Sequence, residues 1–220
     1  MALIDRIKYV VWDWNGTLLD DAALCTDIMN VLLRKYGLEE ITLKSYRRVF
    51  DFPVKDYYSA LGFDFDKIPF EVVGQEFIDI YNNERKNMRL HTGAEQLLEY
   101  FDQKGVKQAI ISARNHHRLE EDLEFFGIKK YFDNIIGLDD DLARGKAHLT
   151  ADFVKGLNEQ GYTGDQLLFI GDTVHDCEIG KANKGHVLLV ANGHHAPERL
   201  LMCSDFVFAN LTNLKNFLEI

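Results

Sequence analysis

The 220-residue chain sets 25 Lys and Arg against 35 Asp and Glu, a net charge of −10 at pH 7, with 46% hydrophobic and 27% charged residues. That balance suits a folded globular protein with a sizeable core, and its acidity excludes a general nucleic-acid or anionic-membrane surface, which needs basic patches. Cys25, Cys177 and Cys203 are spaced for neither a disulfide framework nor a zinc site, no run nears the roughly 18 apolar residues of a membrane span, and "ALIDRIKYVVW" is no targeting peptide.

The expectation is therefore a reduced, soluble, cytoplasmic protein, monomer or homodimer, that binds neither nucleic acid nor membrane. The first element is "YVVW" (9–12), an apolar run without polar alternation, as in a strand buried on both faces. Residues 22 to 88 have a different texture. Leu24, Ile28, Val31 and Leu32 share a helical face, as do Val54, Tyr57 and Leu61, and then Phe70, Val73, Phe77 and Ile80. No strand-like run interrupts them, so an all-helical module is inserted after the first strand.

"HTGAEQLLEYFDQKG" predicts a helix with a Thr92–Glu95 capping box, an inner face of Leu97, Leu98 and Phe101, and Gly105 as its stop. The runs "QAIIS", "NIIGL", "LLFIG", "HVLLVA" and "DFVF" follow, separated by helical segments. One of these is capped by Asn115 and carries Leu119, Leu123 and Phe126; another repeats Leu149, Phe153 and Leu157. Apolar runs alternating with helices predict βαβ units. The fold class is α/β: a doubly wound parallel sheet built from residues 1–20 and 89–220, with a helical cap over residues 21–88.

In such a sheet, ligands bind at the carboxyl ends of the strands, at the topological switch point. Asp13 ends the first run, Ser112 the second and Asp172 the fourth, while Lys146 starts the helix after the third. Two carboxylates, a hydroxyl and an ammonium on one edge make a site for a divalent metal and a phosphoryl group. Mg²⁺ accepts one or two carboxylates together with phosphate oxygens, and an aspartate beside it can act as a nucleophile. Trp14 is expected to pack over the site mouth. The pairs His116–His117 and His194–His195 read as loop residues, and the cysteines as incidental ones.

The ordered set "DWNGTLLD", "IISA", "GK" and "GDTVHD" resembles the four motifs of the haloacid dehalogenase superfamily. The helical insertion is similar to the smaller cap of its phosphoglycolate phosphatases and β-phosphoglucomutases. The resemblance covers essentially the whole chain. It implies a Mg²⁺-dependent phosphatase that acts on a small phosphorylated metabolite through an aspartyl-phosphate, with phosphoglycolate as the first guess. It makes Asp13 nucleophile and metal ligand, puts Thr17 in the turn beside the site, and gives Ser112, Ala113 and Lys146 to the phosphoryl group. Asp172 becomes a metal ligand, Asp176 a ligand or its neighbour, and the Asn15 backbone carbonyl a further ligand.

One position departs from that pattern. The superfamily's phosphatases carry a second Asp two residues after the nucleophile, which protonates the leaving oxygen; here it is Asn15. An amide cannot give and recover a proton at neutral pH, and such help contributes about 10²–10⁴ in rate. Its loss weighs on alkyl esters more than on acyl or aryl phosphates. Three readings stay open: a phosphatase whose proton comes from elsewhere, His175 being one source; a phosphonate-cleaving hydrolase using Lys55 of the cap as an imine-forming lysine; and a non-catalytic phosphate binder.

Overall fold

The structure is a computed structural model that describes residues 3–139 and 145–219, the side chains of Arg85 and Lys86 excepted. The outermost residues of the expected core segments, and 140–144 within them, lie outside that description. After a short helix α1 (Leu3–Arg6), the strands among the described residues are β1 (Tyr9–Trp12), β2 (Lys107–Asn115), β3 (Asn134–Leu138), β4 (Leu167–Gly171), β5 (His186–Val190) and β6 (Val207–Phe208). They form one parallel sheet in the order β3-β2-β1-β4-β5-β6, and each arises from a run expected to be a strand.

Alternation along these strands explains the layering. Val10, Trp12, Ile110, Leu168, Ile170 and Leu188 point to one face. There they meet α2 (Ala22–Lys35), α6 (Ala94–Gln103), α7 (His116–Phe125) and α11 (Leu211–Leu218). Tyr9, Val11, Ile111, Phe169 and Leu189 point to the other face, against α8 (Ala147–Glu159), α9 (Val174–Ala182) and α10 (Pro197–Leu201). A sheet covered on both faces needs apolar residues on both, which is why the runs lack polar alternation.

The chain runs outward from β1 to β2 and β3, then returns to place β4 on the other side of β1. The switch point therefore falls between β1 and β4, where Asp13 and Asp172 emerge. Between β1 and β2 the described chain is helical: α2, α3 (Leu43–Val49), α4 (Val54–Ala60) and α5 (Phe70–Asn83). Arg47 of α3 donates to the Gly193 and Asn192 carbonyls at 2.8 and 2.7 Å, and Arg199 of α10 meets Asp51 at 2.6 Å, so this helical stretch is tied to the loop after β5 and to α10. No described helix is long and apolar enough to cross a membrane.

Four local expectations are corrected. Thr92 does not cap α6; Gly93 does, with φ of 93°, so the Thr92–Glu95 pattern is not a capping box. Val31 is 42% exposed, because α2 turns Cys25, Ile28, Met29 and Leu32 inward instead. Trp14 lies fully buried against Phe126, away from any site mouth. Cys177 on α9 and Cys203 beyond α10 form a disulfide, against the expectation of a wholly reduced chain. Both belong to the same face of the sheet, a meeting their sequence spacing does not reveal.

The packing of α9 on the sheet makes a stability prediction. A Cβ at Gly180 would stand 2.4 Å from Val187 Cγ2 and 3.1 Å from Phe169 Cβ, whereas one at Gly156 in α8 meets nothing within 4 Å. Gly180→Ala should destabilise the protein by about 1–3 kcal/mol through overpacking. Gly156→Ala should stabilise it by about 0.5–1 kcal/mol through helix propensity. Urea unfolding of both variants reads the pair.

Candidate active site

Asp13 leaves β1 with its N–H donated to the Ile170 carbonyl at 2.9 Å, which fixes it beside β4. The chain then turns sharply, with the N–H groups of Leu18 and Leu19 both donating to the Trp14 carbonyl at 3.0 Å. The turn brings the Thr17 hydroxyl 2.8 Å from Asp172 Oδ1 and 3.3 Å from Asp13 Oδ2. Two glycines make room for Asp172: a Cβ at Gly16 or Gly193 would lie 2.3 or 2.1 Å from its Oδ2. The freed space lets the His194 N–H donate to Asp172 Oδ2 at 2.6 Å.

Asp176, in the first turn of α9, closes a capping box with Thr173: its N–H donates to Thr173 Oγ1 at 3.2 Å, and its Oδ2 accepts the Thr173 N–H at 3.0 Å. Its Oδ1 faces Lys146 Nζ at 2.7 Å, and the same ammonium contacts Asp13 Oδ1. A cation at the start of α8 opposes the helix dipole; two carboxylates hold it there. Burial works against the Lys146 ammonium, but Asp13 and Asp176 outweigh it and raise its pKa. Burial lifts the Asp13 carboxyl to about 6 against the pull of Lys146. Burial drives Asp172 well upward, with Asp13 and Asp176 adding to the effect.

Carboxylate oxygens of Asp13, Asp172 and Asp176 lie within 4.8 Å of one another. Three clustered carboxylates with one ammonium leave negative charge uncompensated, and a set made only of oxygens suits a hard cation such as Mg²⁺. The residues fit the metal.

A further buried carboxylate organises the other half of the site. Asp21 is fully buried and accepts from the Gly16 N–H at 2.9 Å, Asn15 Nδ2 at 2.8 Å and the Tyr81 hydroxyl at 2.7 Å. His194 Nε2 stands 3.2 Å from its Oδ1, and His194 Nδ1 meets the Tyr46 hydroxyl at 2.8 Å. Burial alone would raise Asp21, but His194 and the other donors bring it down to about 2. Burial alone would lower His194, but Asp21 brings it up to about 9. The Asp21, Cys25 and His194 ligand atoms also cluster, yet the Asp21 oxygens are taken by these donors.

The Asn15 side chain is thus held by the pair it helps complete: Nδ2 donates to Asp21 and to Tyr81, and Oδ1 lies 3.5 Å from Ser112 Oγ. The sequence passes over Asp21, Tyr46, Tyr81 and His194. His194 follows the carboxyl end of β5, the signal that picked out Asp13, but its pairing with His195 read as loop. The tyrosines come from the helical insertion and carry no motif.

A cavity of about 160 Å³ opens above this floor, lined by Asp13, Asn15, Ser112, Ala113, Lys146 and Asp176 at one end and by rings from α3, α4 and α5 at the other. Ser112 does not end its strand as expected. β2 continues to Asn115 through a break in register after Ile111, and this irregularity turns Ser112 and Ala113 toward the cavity. Lys55 is exposed, with its ammonium 5.7 Å from the Phe65 ring centre, and does not line the cavity. That removes the basis for an imine-forming lysine there. His175 lines the cavity, its ring 5.2 Å from that of Phe52, and burial lowers its pKa. That shift favours the neutral imidazole, a poorer acid toward a leaving group.

Residues 10–190 match the haloacid dehalogenase-like hydrolase family, and the chain belongs to it. It is 24% identical over 195 residues to N-acetylmuramic acid 6-phosphate phosphatase of Pseudomonas aeruginosa, across 88% of this chain and 85% of the relative. It is 24% identical over 180 residues to phosphoglycolate phosphatase of Aquifex aeolicus, across 80% of each. A solved haloacid dehalogenase-like hydrolase from Streptococcus pneumoniae shares the fold, with a TM-score of 0.80 at 18% identity over 97% of this chain and 99% of that one. Protein tyrosine kinase A of Mycobacterium tuberculosis shares it too, with a TM-score of 0.75 at 19% identity over 97% and 99%.

Two predictions follow from the buried pair. Asn15→Asp sets a carboxyl group against Asp21 and should destabilise the fold by about 1–3 kcal/mol at neutral pH. Adding Asp21→Asn should remove about 1 kcal/mol or more of that cost, read as the coupling in a double-mutant unfolding cycle. His194 should remain an imidazolium past pH 8 and titrate near 9 in ring-nitrogen NMR spectra. Because its folded pKa is raised, the stability it contributes is complete below about 6.5 and lost as pH climbs through about 9. The loss caused by His194→Gln should accordingly shrink between pH 6 and pH 10.

Proposed function

We propose that this chain is a Mg²⁺-dependent phosphatase of small phosphomonoesters that works through an aspartyl-phosphate on Asp13. The carrying observation is the convergence of Asp13, Asp172, Asp176 and Lys146 at the switch point, beside a cavity wide enough for a phosphoryl group. The phosphatase names of the relatives support the reading, and phosphoglycolate is the first reference substrate because one relative acts on it by name.

In this reading residues 1–20 and 89–220 are the core, and residues 21–88 a cap that closes the cavity. Asp13, Asp172 and the Asn15 backbone carbonyl hold Mg²⁺, with Asp176 adjacent. Once bound, the ion neutralises charge on the phosphoryl oxygens and the clustered carboxylates. Lys146 holds a phosphoryl oxygen and Ser112 and Ala113 flank it, while Thr17 keeps the Asp13 and Asp172 carboxylates in register. An Asp13 oxygen bonds to phosphorus as the bond to the leaving oxygen breaks. Water then displaces the carboxylate and releases inorganic phosphate. Asn15 supplies no proton, since its amide hydrogens are given to Asp21 and Tyr81.

Asp13→Asn should abolish turnover, by about 10³-fold or more, while leaving the fold intact. Asp172→Asn should weaken Mg²⁺ binding about tenfold or more in calorimetry. Unchanged Mg²⁺ affinity would move the metal site elsewhere.

A further inference from the structure

We propose that the substrate is an aryl phosphate monoester, its single aromatic ring seated among Tyr46, Phe50, Tyr57, Tyr58, Phe77 and Tyr81. The proposal rests on the phosphatase reading above and narrows it. Three independent observations carry it.

The first is the wall of the cavity. Phe50 and Tyr57 meet edge to face at 5.3 Å and 74°, Tyr46 and Tyr57 at 5.8 Å and 88°, and Tyr58 and Phe70 at 5.6 Å and 65°. Interlocked rings of this kind form a stiff surface whose edges and faces match another aromatic ring. The cavity of about 160 Å³ also holds the phosphoryl end, and roughly 150 Å³ is needed for one benzene, so it has room for no more than a single ring.

The second is the absence of a spare cation for an acidic or polyhydroxylated leaving group among the described lining residues. Arg114 is paired with Asp122 and lies over the Tyr81 ring at 5.1 Å. Lys146 is shared between Asp13 and Asp176 at the phosphoryl end, and the His194 imidazolium in the cavity wall is paired with Asp21. Burying a carboxylate against such a wall without a free partner is costly. The Tyr57 hydroxyl, buried and without a hydrogen-bond partner among the described residues, leaves one polar contact for a substituent on the ring.

The third is Asn15. An alkoxide is a poor leaving group without a proton donor, whereas a phenol ionises near pH 10 and departs as phenolate. In the step proposed, the Asp13 oxygen–phosphorus bond forms and the phosphorus–phenolic oxygen bond breaks. The electron pair leaves on the phenolate, which takes its proton from solvent water. Both ends of the cavity select the same chemistry: rings at one, an amide where an acid would stand at the other.

The test pairs binding with turnover on the full chain in Mg²⁺. Calorimetry should show phenylphosphonate binding about tenfold or more tighter than phosphonoacetate, two inert analogues that differ in ring against carboxylate. Phenyl phosphate should exceed phosphoglycolate in kcat/KM by about 10²-fold. Benzyl phosphate, which keeps the ring but leaves as an alkoxide, should show a similar KM to phenyl phosphate and a kcat about 10²-fold lower. Tighter binding of phosphonoacetate, or preference for phosphoglycolate, would overturn the aryl proposal while leaving the phosphatase reading intact. Hydrolysis of none of these esters would overturn the phosphatase reading; the order of phosphonate binding would still decide for or against the ring.

Discussion

Three carboxylates crowd together at the point where the sheet reverses its winding, two of them paired with one ammonium, and the rest of the site is arranged around that crowding. Asp13, Asp172 and Asp176 come from two neighbouring strand ends and one helix start, so their approach is set by the register of β1 against β4. Lys146 offsets part of the repulsion. Thr17 bridges two of the acids, and the backbone at Gly16 and Gly193 closes on Asp172 where no side chain would fit. A cluster of this kind is expensive unless it is matched by cations. Lys146 is the built-in match, and the all-oxygen donor set is suited to a second, divalent one.

Asn15 belongs to the same electrostatic problem. Its neighbour Asp21 is buried, ionised and paired with His194, and the Asn15 amide is one of the donors that keep it so. An ionised aspartate at position 15 would face Asp21 across a hydrogen-bond distance. The asparagine is therefore fitted to its surroundings: it completes a network and gives up acid catalysis. The aromatic cavity fits that loss, because a ring that departs as a phenolate has little need of a proton.

Much of this was legible in the sequence, and the exceptions have physical causes. The six apolar runs all became strands, because burial on both faces leaves an unmistakable pattern in β1, β4 and β5. The clustering of Asp13, Asp172 and Lys146 followed from the rule that strand ends converge at the switch point, and Asn115 caps α7 as its type and place suggest. What escaped depends on tertiary contact. Asp21 meets His194, and Cys177 meets Cys203, only because distant segments fold onto the same edge. Ser112 sits at an irregularity inside β2 that no residue type announces. The identity of the cavity wall required knowing which faces of α3, α4 and α5 turn inward; Lys55, on α4, turns outward.

The measurement that bears most directly on the central claim is the covalent state of Asp13 during turnover. Phenyl phosphate mixed with the Mg²⁺-loaded protein, quenched in acid before the steady state and mapped by peptide mass spectrometry, should give one phosphoryl group on the peptide containing Asp13 and none in Asp13→Asn. A phosphoryl group on another residue, or hydrolysis that proceeds with Asp13 replaced, would contradict the account.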